Sequence, residues 1–349
     1  MIVPARNEAS HIEDCLRSIL GQESDGGLEV IVADGRSADD TVELARLAGA
    51  RVVDNPRSNT PAGLNAALAA AEGEIIVRFD AHGRMPPGYV EASVRALDAT
   101  GAAGVGGWVQ AEASGPWGRA IGTALASRFG IGNARSWKRP RPGQPRMEVD
   151  TFPLGCWRAE TLRAVGGWDE RFARNQDYEL NYRLRKDGGR IVFDPAVWSF
   201  YRPRESLCAI AHQYWDYGRF KALTVATAPQ SLRPRQLAPA ALLATAATAV
   251  LPVRLARAAR VALAGYGLVL AGVTAGSRGG WRTTVVLGTI HGVWGAGLLV
   301  GLAQIEARSL RRGVLALAAC GAERHDQEEC SEQAGARRGE APAPDDIGS

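Results

Sequence analysis

Three short polar clusters each follow an apolar run that has the length of a buried strand. They are Pro4-Ala5-Arg6-Asn7-Glu8, Asp34-Gly35 and Asp80-Ala81-His82. A carboxylate and an imidazole two residues apart at a strand exit can face one divalent cation, or a cation and the diphosphate that it holds. Asp34 suits a hydrogen bond to a base or ribose, and a helix N-terminus near Asn7 and Glu8 would attract phosphate. The structural alternatives are turn residues at Asp34 and Asp80 and a helix cap at Asn7. Together the clusters predict a site for a nucleoside diphosphate.

A further carboxylate, Asp177, precedes a helix that we predict over 178–186 and that Gly188-Gly189 ends. If Asp177 faces the nucleotide site across a cleft, it can take the proton from an acceptor hydroxyl that attacks an anomeric carbon. Transfer of a glycosyl group releases a nucleoside diphosphate, and a divalent cation, Mn²⁺ or Mg²⁺, neutralises the developing charge. A helix N-cap is the structural alternative for Asp177.

The first hundred residues alternate strand and helix signals, which predicts an α/β fold with a parallel sheet covered by helices on both faces. Ser10-x-x-Glu13 resembles a capping box, and Thr60-Pro61 marks the start of another helix. Ligands of such sheets bind at the carboxyl ends of the strands, so the three clusters are expected to meet there. The predicted strands are 28–33, 51–53 and 74–79, and the predicted helices are 40–48 and a segment from Thr60.

The composition of the 349-residue chain changes near residue 237, where Ala, Leu, Val and Gly begin to dominate. Of the apolar segments 237–253, 261–275 and 283–303, only the third has a length that suffices to cross a bilayer. A buried helical bundle is the alternative. We predict three parts: a catalytic domain over 1–236, membrane-associated helices over 237–305, and a basic juxtamembrane segment with a disordered polar tail over 306–349.

Basic residues are frequent just before the first apolar segment. Cytoplasmic flanks collect Lys and Arg, so the catalytic domain is expected on the cytoplasmic side of a bacterial inner membrane. Two full spans and one interfacial segment fit this distribution best. The same charges suit a lipid-linked diphosphate acceptor, and we expect no nucleic-acid partner, cleavable signal peptide, zinc site or disulfide. The basic residues are Arg202, Arg204, Arg219, Lys221, Arg233 and Arg235.

The motifs resemble those of family 2 glycosyltransferases with the GT-A fold. The resemblance rests on Val3 to Glu8, Asp34-Gly35, Asp80-x-His82 as a variant of D-x-D, and Gln176-Asp177 as a variant of E-D. The block from Gln213 to Lys221 and the segment Leu232 to Pro239 narrow it to the succinoglycan-biosynthesis (ExoA-like) branch, whose members carry C-terminal membrane helices. The resemblance covers about residues 2–300.

The resemblance implies an inverting transfer of a sugar from a nucleotide-diphospho-sugar, with UDP-sugars favoured, to a lipid-linked or glycan acceptor in exopolysaccharide or cell-envelope glycan synthesis. Asp177 would be the base, and Asp80 and His82 would hold Mn²⁺ or Mg²⁺. The donor nucleotide would contact Pro4, Ala5, Arg6, Asn7, Glu8, Asp34 and Asp80. The acceptor or its diphosphate would contact Gly155, Gln213, Tyr217, Arg219 and Lys221.

The sequence departs from the family pattern in several places. His82 replaces an Asp, which favours Mn²⁺ over Mg²⁺, and Gln176 replaces a Glu. Gln213-x-x-Asp216-Tyr217 differs from the Q-x-x-R-W of processive synthases, which favours one sugar per encounter. Only Met1-Ile2-Val3 precede Pro4, so the start is placed late or the edge of the nucleotide pocket is weakened.

Two other functions remain as alternatives. A nucleotidyltransferase shares this topology, but it normally shows a Gly-rich phosphate loop near the first strand. A membrane scaffold that has lost catalysis would not need Asp34, Asp80 and Asp177 together. A dehydrogenase is excluded, because G-x-G-x-x-G is missing after the first strand.

Overall fold

The computed structural model describes residues 1–130, 135–277 and 279–307. The chain divides into two compact units, Met1–Gly301 and Leu302–Ser349. Of the second unit, residues 302–307 are described and are helical. The polar tail predicted over 306–349 therefore lies, from residue 308 onward, outside the described residues.

Nine strands form one mixed sheet. Their order is β3-β2-β1-β4-β8-β6-β9-β5, and β7 also pairs with β9. The strands are β1 (Ile2–Ala5), β2 (Ile31–Asp34), β3 (Arg51–Asp54), β4 (Ile75–Arg78), β5 (Gly83–Arg84), β6 (Gly104–Ala111), β7 (Met147–Glu148), β8 (Gly155–Arg158) and β9 (Ile191–Tyr201).

The first four strands are parallel, as the sequence predicts. The second half differs from a simple parallel sheet, because β8 runs antiparallel to both β4 and β6, and β5 and β7 run antiparallel to β9. Only β6 and β9 are parallel there. The α/β fold class is confirmed, with a sheet that is mixed rather than mostly parallel.

Eleven helices are described besides short 3-10 turns. They are α1 (Ile12–Leu20), α2 (Thr41–Leu47), α3 (Thr60–Ala70), α4 (Tyr89–Thr100), α5 (Gly115–Ala126), α6 (Ala159–Ala164), α7 (Gln176–Lys186), α8 (Leu207–Thr227), α9 (Ala238–Val250), α10 (Leu255–Thr274) and α11 (Trp281–Ala307).

Both faces of the sheet are covered, because successive strand residues enter different apolar clusters. Val3 and Val32 pack with α1 and α4, whereas Ile2 and Ile31 pack with α3, α6 and α7. A strand with two buried faces reads as a continuous apolar run, which is why β1, β2 and β4 are recognisable in the sequence.

Two predicted helix starts are shifted. Helix α1 has His11 as its N-cap and lacks a side-chain cap, so the proposed capping box at Ser10 is wrong. Asn59, not Thr60, caps α3, because its side chain accepts a hydrogen bond from the amide of Ala62. Both corrections move the boundary by one residue and leave the elements in place.

Three apolar helices follow residue 237, where the sequence predicts apolar segments. Helices α10 and α11 have the length and composition to cross a membrane, and α9 is shorter. Of the most apolar window of each helix, 17% is buried in α10 and 39% in α11. Leu255, Val261 and Leu268 are exposed on α10.

Helices α8 and α11 touch through glycines. A Cβ on Gly218 would lie 2.1 Å from the carbonyl oxygen of Trp294, and one on Gly297 would lie 2.3 Å from that of Trp215. Glycine seams of this kind let two helix backbones approach closely. An apolar cluster that joins α5, α8, α10 and α11 extends the contact.

Candidate functional site

The loops after β1 and β2 form one wall of the site. Asp34 is 6% exposed, and its carboxylate accepts hydrogen bonds from the hydroxyl of Ser37 (2.6 Å) and from the Ser37 amide (3.1 Å). The amide of Asn7 donates to the same hydroxyl (2.9 Å), and the amide of Gly35 donates to the carbonyl of Ala5 (2.8 Å). The two loops are therefore fixed to each other, with Ser37 at the junction.

A second set of bonds extends this connection. The side-chain oxygen of Asn7 accepts from the amide of Ala38 (2.9 Å), and the amide of Glu8 donates to the hydroxyl of Thr41 (2.8 Å). Asn7 has a φ of 54°, a conformation in which Asn is tolerated. Since α1 begins four residues beyond Glu8, the alternative role of Asn7 as a helix cap is wrong. Pro4 lies within β1, and Arg6, just after this strand, is exposed.

Asp80 and His82 follow β4 as predicted. Nδ1 of His82 lies 3.2 Å from the Glu8 carboxylate, which brings the third cluster to the first. Burial lowers the pKa of His82, but the hydrogen bond to Glu8 and the charge of Asp80 outweigh it and raise the pKa overall. Burial raises the pKa of Asp80, but the charges of Arg78 and His82 outweigh burial and lower the pKa overall. This carboxyl is therefore ionised.

The donor atoms suit a divalent cation. One Asp80 oxygen binds Arg78 and Nδ1 of His82 faces Glu8, which leaves an Asp80 oxygen and Nε2 of His82 without a hydrogen bond in the described part of the chain. No three His, Cys, Asp or Glu side chains among the described residues converge on one point. A cation here would therefore take its other ligands from a bound diphosphate and water.

Arg78, which the sequence reasoning missed, lies at the centre of the site. It is 3% exposed at the end of β4, opposite Gly155 of β8. Its guanidinium donates to Asp80 (2.9 Å) and to Asp177. Burial lowers the pKa of Arg78, but the two carboxylates raise it more. The available signal was a charged residue within an apolar strand, two positions before Asp80.

Asp177 lies in the first turn of α7, one residue inside the helix. Asn175, with a φ of 64°, is the N-cap residue, so the alternative of Asp177 as N-cap is wrong. Burial raises the pKa of Asp177; Arg78 opposes this, and the charge of Asp80 adds to it. The indole N–H of Trp168 makes no hydrogen bond of good geometry with any described residue, but its polar hydrogen faces Asp177 and lowers the pKa of that carboxyl. A carboxyl with a raised pKa is suited to accept a proton.

The five predicted acceptor residues separate into two groups. Gln213 donates to the hydroxyl of Tyr217 (3.0 Å), and the carbonyl of Tyr217 accepts from Asn175 (3.2 Å), which places this pair beside the start of α7, the helix that carries Asp177. Gly155 is buried opposite Arg78, and a Cβ there would lie 2.3 Å from the ring of Phe152, so this position requires glycine for packing.

Arg219 and Lys221 have partners elsewhere. Arg219 lies 3.9 Å from the carboxylate of Asp216. Lys221 is 3% exposed, with its ammonium 3.4 Å from the centre of the Tyr178 ring, and burial lowers its pKa to about 7. Within the described residues no contact joins either side chain to Asp80, His82 or Asp177.

Comparison with solved structures supports the fold. The mannosyltransferase PcManGT from Pyrobaculum calidifontis, solved in complex with GDP-Man and Mn²⁺, superposes with a TM-score of 0.55 at 22% identity, over 83% of this chain and 84% of that chain. Identity at this level supports the GT-A fold alone.

Sequence comparison gives the family. The description "Glycosyl transferase family 2" matches residues 1–152. The succinoglycan biosynthesis protein ExoA of Rhizobium meliloti is 34% identical over 229 residues, which is 64% of this chain and 68% of that protein. An uncharacterized glycosyltransferase of Mycobacterium bovis is 30% identical over 195 residues, 55% of this chain and 81% of that protein. This chain therefore belongs to glycosyltransferase family 2, with an ExoA-like sequence.

Proposed function

We propose that this glycosyltransferase moves one sugar, with inversion, from a nucleotide-diphospho-sugar to a hydroxyl of a lipid-linked acceptor in exopolysaccharide or cell-envelope glycan synthesis. UDP-sugars are the first donors to test. The proposal is supported by the wall that the loops after β1 and β2 form, by Asp80 and His82 after β4, and by the raised pKa of the Asp177 carboxyl.

One observation carries the proposal. Asp80 and Asp177 are 97 positions apart, yet both accept hydrogen bonds from the single buried guanidinium of Arg78. The residue that would face the donor diphosphate and the residue that would deprotonate the acceptor are thus held at one place. A displacement needs the nucleophile and the leaving group on opposite sides of the same carbon, and such positioning supplies much of the rate.

The residues suggest the following step. Asp177 takes the proton from the acceptor hydroxyl while that oxygen forms a bond to the anomeric carbon. The bond from this carbon to the diphosphate oxygen breaks, and its electron pair leaves with the nucleoside diphosphate. Asp80 and His82 would hold a divalent cation, which offsets charge on the leaving group when it is bound.

The C-terminal helices support a membrane tether. We place α10 and α11 across the membrane, α9 at its surface, and the catalytic domain on the cytoplasmic side of a bacterial inner membrane. A reporter fused after Ser349 should then read as cytoplasmic, because two spans return the chain to its starting side. A periplasmic reading would contradict this topology.

Nucleotide release by the full chain in detergent tests the function. UDP-, GDP- and dTDP-sugars are supplied with and without a lipid-diphosphate acceptor, and one donor class should give release that the acceptor accelerates. Excess EDTA should stop it, and full activity in EDTA would contradict the cation site. If no donor gives nucleotide release, the proposed transfer is contradicted and a membrane scaffold without catalysis is favoured. If the chain releases pyrophosphate from a nucleoside triphosphate, a nucleotidyltransferase is favoured.

A further inference from the structure

Most arginines just before the apolar helices have partners in this chain. Arg202 lies 3.7 Å from Asp14, Arg219 lies 3.9 Å from Asp216, and Arg233 donates to Asp150 at 2.7 Å. Arg174 and Arg204 differ, because neither makes an ion pair or a hydrogen bond with any described residue. Their guanidinium groups thus lack partners among the described residues, although both arginines lie close in sequence to residues of the site.

The backbone brings both arginines to the site from different elements. Arg174 directly precedes Asn175, whose side chain is bonded to the carbonyl of Tyr217, and it stands three residues before Asp177. Arg204 stands three residues after Tyr201, at the end of β9.

The pairing of β5 with β9 fixes the position of Tyr201. This residue is the register partner of Gly83, and its ring centre lies 5.9 Å from that of His82. The segment that carries Arg204 therefore leaves the sheet directly beside His82.

The positive charges of Arg174 and Arg204 act on neighbouring groups of the site. The charge of Arg174 acts on Asp80 and Tyr217, and the charge of Arg204 acts on His82 and Tyr217. Both guanidinium groups thus lie within electrostatic reach of one space, which Asp80, His82 and Tyr217 border.

This space begins at His82, which also contacts Glu8 of the loop after β1. Its other side, at Tyr201 and Tyr217, is bordered by the end of β9 and by α8. The same side continues into apolar surface: Trp137 packs on Tyr201 with ring centres 4.9 Å apart, and Trp137 and Tyr217 both contact the apolar cluster that includes residues of α10 and α11. A charged group bound here would have an apolar path next to it.

We propose that Arg174 and Arg204 form an anion subsite, separate from the donor diphosphate, that binds the phosphate or diphosphate head group of a lipid-linked acceptor. The guanidinium fork matches phosphate oxygens in two-bond geometry, and two forks carried by different elements suit a diphosphate. The inference rests on the proposed function for the identity of the acceptor, but the binding itself does not require turnover.

Calorimetry on the full chain in detergent tests the subsite, with farnesyl diphosphate, inorganic pyrophosphate and farnesol as probes. Arg174→Gln and Arg204→Gln should each raise the Kd of farnesyl diphosphate by about 10- to 100-fold, the weight of a charge-assisted hydrogen bond. The Lys variants should retain part of the affinity. Arg95→Gln, which removes an exposed arginine on α4, is the matched control and should leave the Kd unchanged.

The probes separate the head group from the lipid. Pyrophosphate should bind more weakly than farnesyl diphosphate and lose the same factor in the Gln variants, whereas farnesol should be insensitive to both. Equal affinities for pyrophosphate and farnesyl diphosphate would overturn the lipid-linked acceptor. An unchanged Kd for farnesyl diphosphate in folded Gln variants would overturn the subsite.

Titration with nucleoside diphosphates distinguishes a failure of the anion subsite from a failure of the proposed glycosyl transfer. UDP, GDP and dTDP are titrated, and farnesyl diphosphate should bind in the presence of whichever nucleotide is bound. If the Gln variants instead weaken nucleotide binding, the arginines serve the donor and the proposal is wrong. Subsite binding that survives in a chain without transfer activity would contradict the proposed function alone.

Discussion

Two regions of the site are held together in different ways. The donor wall is the pair of loops after β1 and β2, and the base side consists of Arg78, Asp80 and Asp177. In the donor wall, hydrogen bonds of 2.6–3.1 Å join two surface loops, and most of them pair a side chain with a backbone amide. On the base side, one buried guanidinium donates hydrogen bonds to two carboxylates that come from different parts of the chain.

The difference lies in redundancy. Each neutral hydrogen bond of the donor wall contributes roughly 1 kcal/mol, so the loss of one leaves the others in place. The loss of Arg78, which is buried, would leave two half-buried carboxylates without their shared cation, which is far more costly. We expect the donor wall to tolerate single substitutions and the base side to fail from one.

The largest effect should come from the base itself. Asp177→Asn keeps the shape of the side chain but cannot accept the proton, so kcat should fall by about 10²- to 10⁴-fold while the donor Kd stays nearly unchanged. Asp187→Asn, at the other end of the same helix, is the control and should retain full turnover. Unchanged kcat in Asp177→Asn would remove this residue from the mechanism.

Arg78→Gln should reduce the free energy of unfolding by about 3–5 kcal/mol, because it leaves buried charge uncompensated. Denaturant unfolding in detergent measures it. Arg158→Gln breaks an exposed ion pair with Asp98 (2.8 Å) and should cost under about 1 kcal/mol. The double variant Arg78→Gln/Asp177→Asn should recover part of the loss. Equal costs for the two single arginine variants would show that the buried network is not special.

The pH dependence of kcat/KM should sharpen the same contrast. Asp177 must be ionised to act, and burial raises its pKa, so activity should fall as pH decreases through that raised pKa. Arg78 lowers this pKa, so Arg78→Lys, which weakens the two-bond contact, should move the acid limb to higher pH. A limb that stays in place or moves to lower pH would show that Arg78 does not control the base.

The smallest effect should arise in the donor wall. Ser37→Ala removes one donor to Asp34 and one acceptor for the amide of Asn7, and it should raise the donor KM by about two- to tenfold with little change in kcat. Ser24→Ala, which loses a bond within an exposed loop, is the control. A loss of kcat as large as that of Asp177→Asn would mean that the donor wall is not redundant.

The elements of the fold could be predicted from sequence because their signals are local. Buried parallel strands such as β2 and β4 are apolar runs, and Gly188, with a φ of 84°, ends α7 where expected. The sequence places the N-caps of α1 and α3 wrongly, at Ser10 and Thr60. Capping depends on whether one side chain can reach a free backbone amide, which the sequence does not reveal. Asn59 and Thr60 are both good caps, and only the structure shows that Asn59 makes the bond.

The site was predicted less completely, for a physical reason. Asp80 and Asp177 follow recognisable elements, but Arg78 acquires its role from a carboxylate 99 positions away. Arg174 and Arg204 stand out only by lacking partners, which requires knowledge of what surrounds them. Lys221 shows a related difficulty: the sequence suggested an anion contact, and it could not show that the ammonium lies against the ring of Tyr178.

The glycine contact between α8 and α11 has a consequence for how the enzyme matures. Gly218 belongs to the helix that holds Tyr217 beside the base, and its partner Trp294 is synthesised more than seventy residues later. Translation must therefore reach α11 before α8 can complete this contact, so folding around Tyr217 is expected to wait for that helix. Chains that stop before α11 would expose the face of α8 around Gly218, and we expect proteases to degrade them.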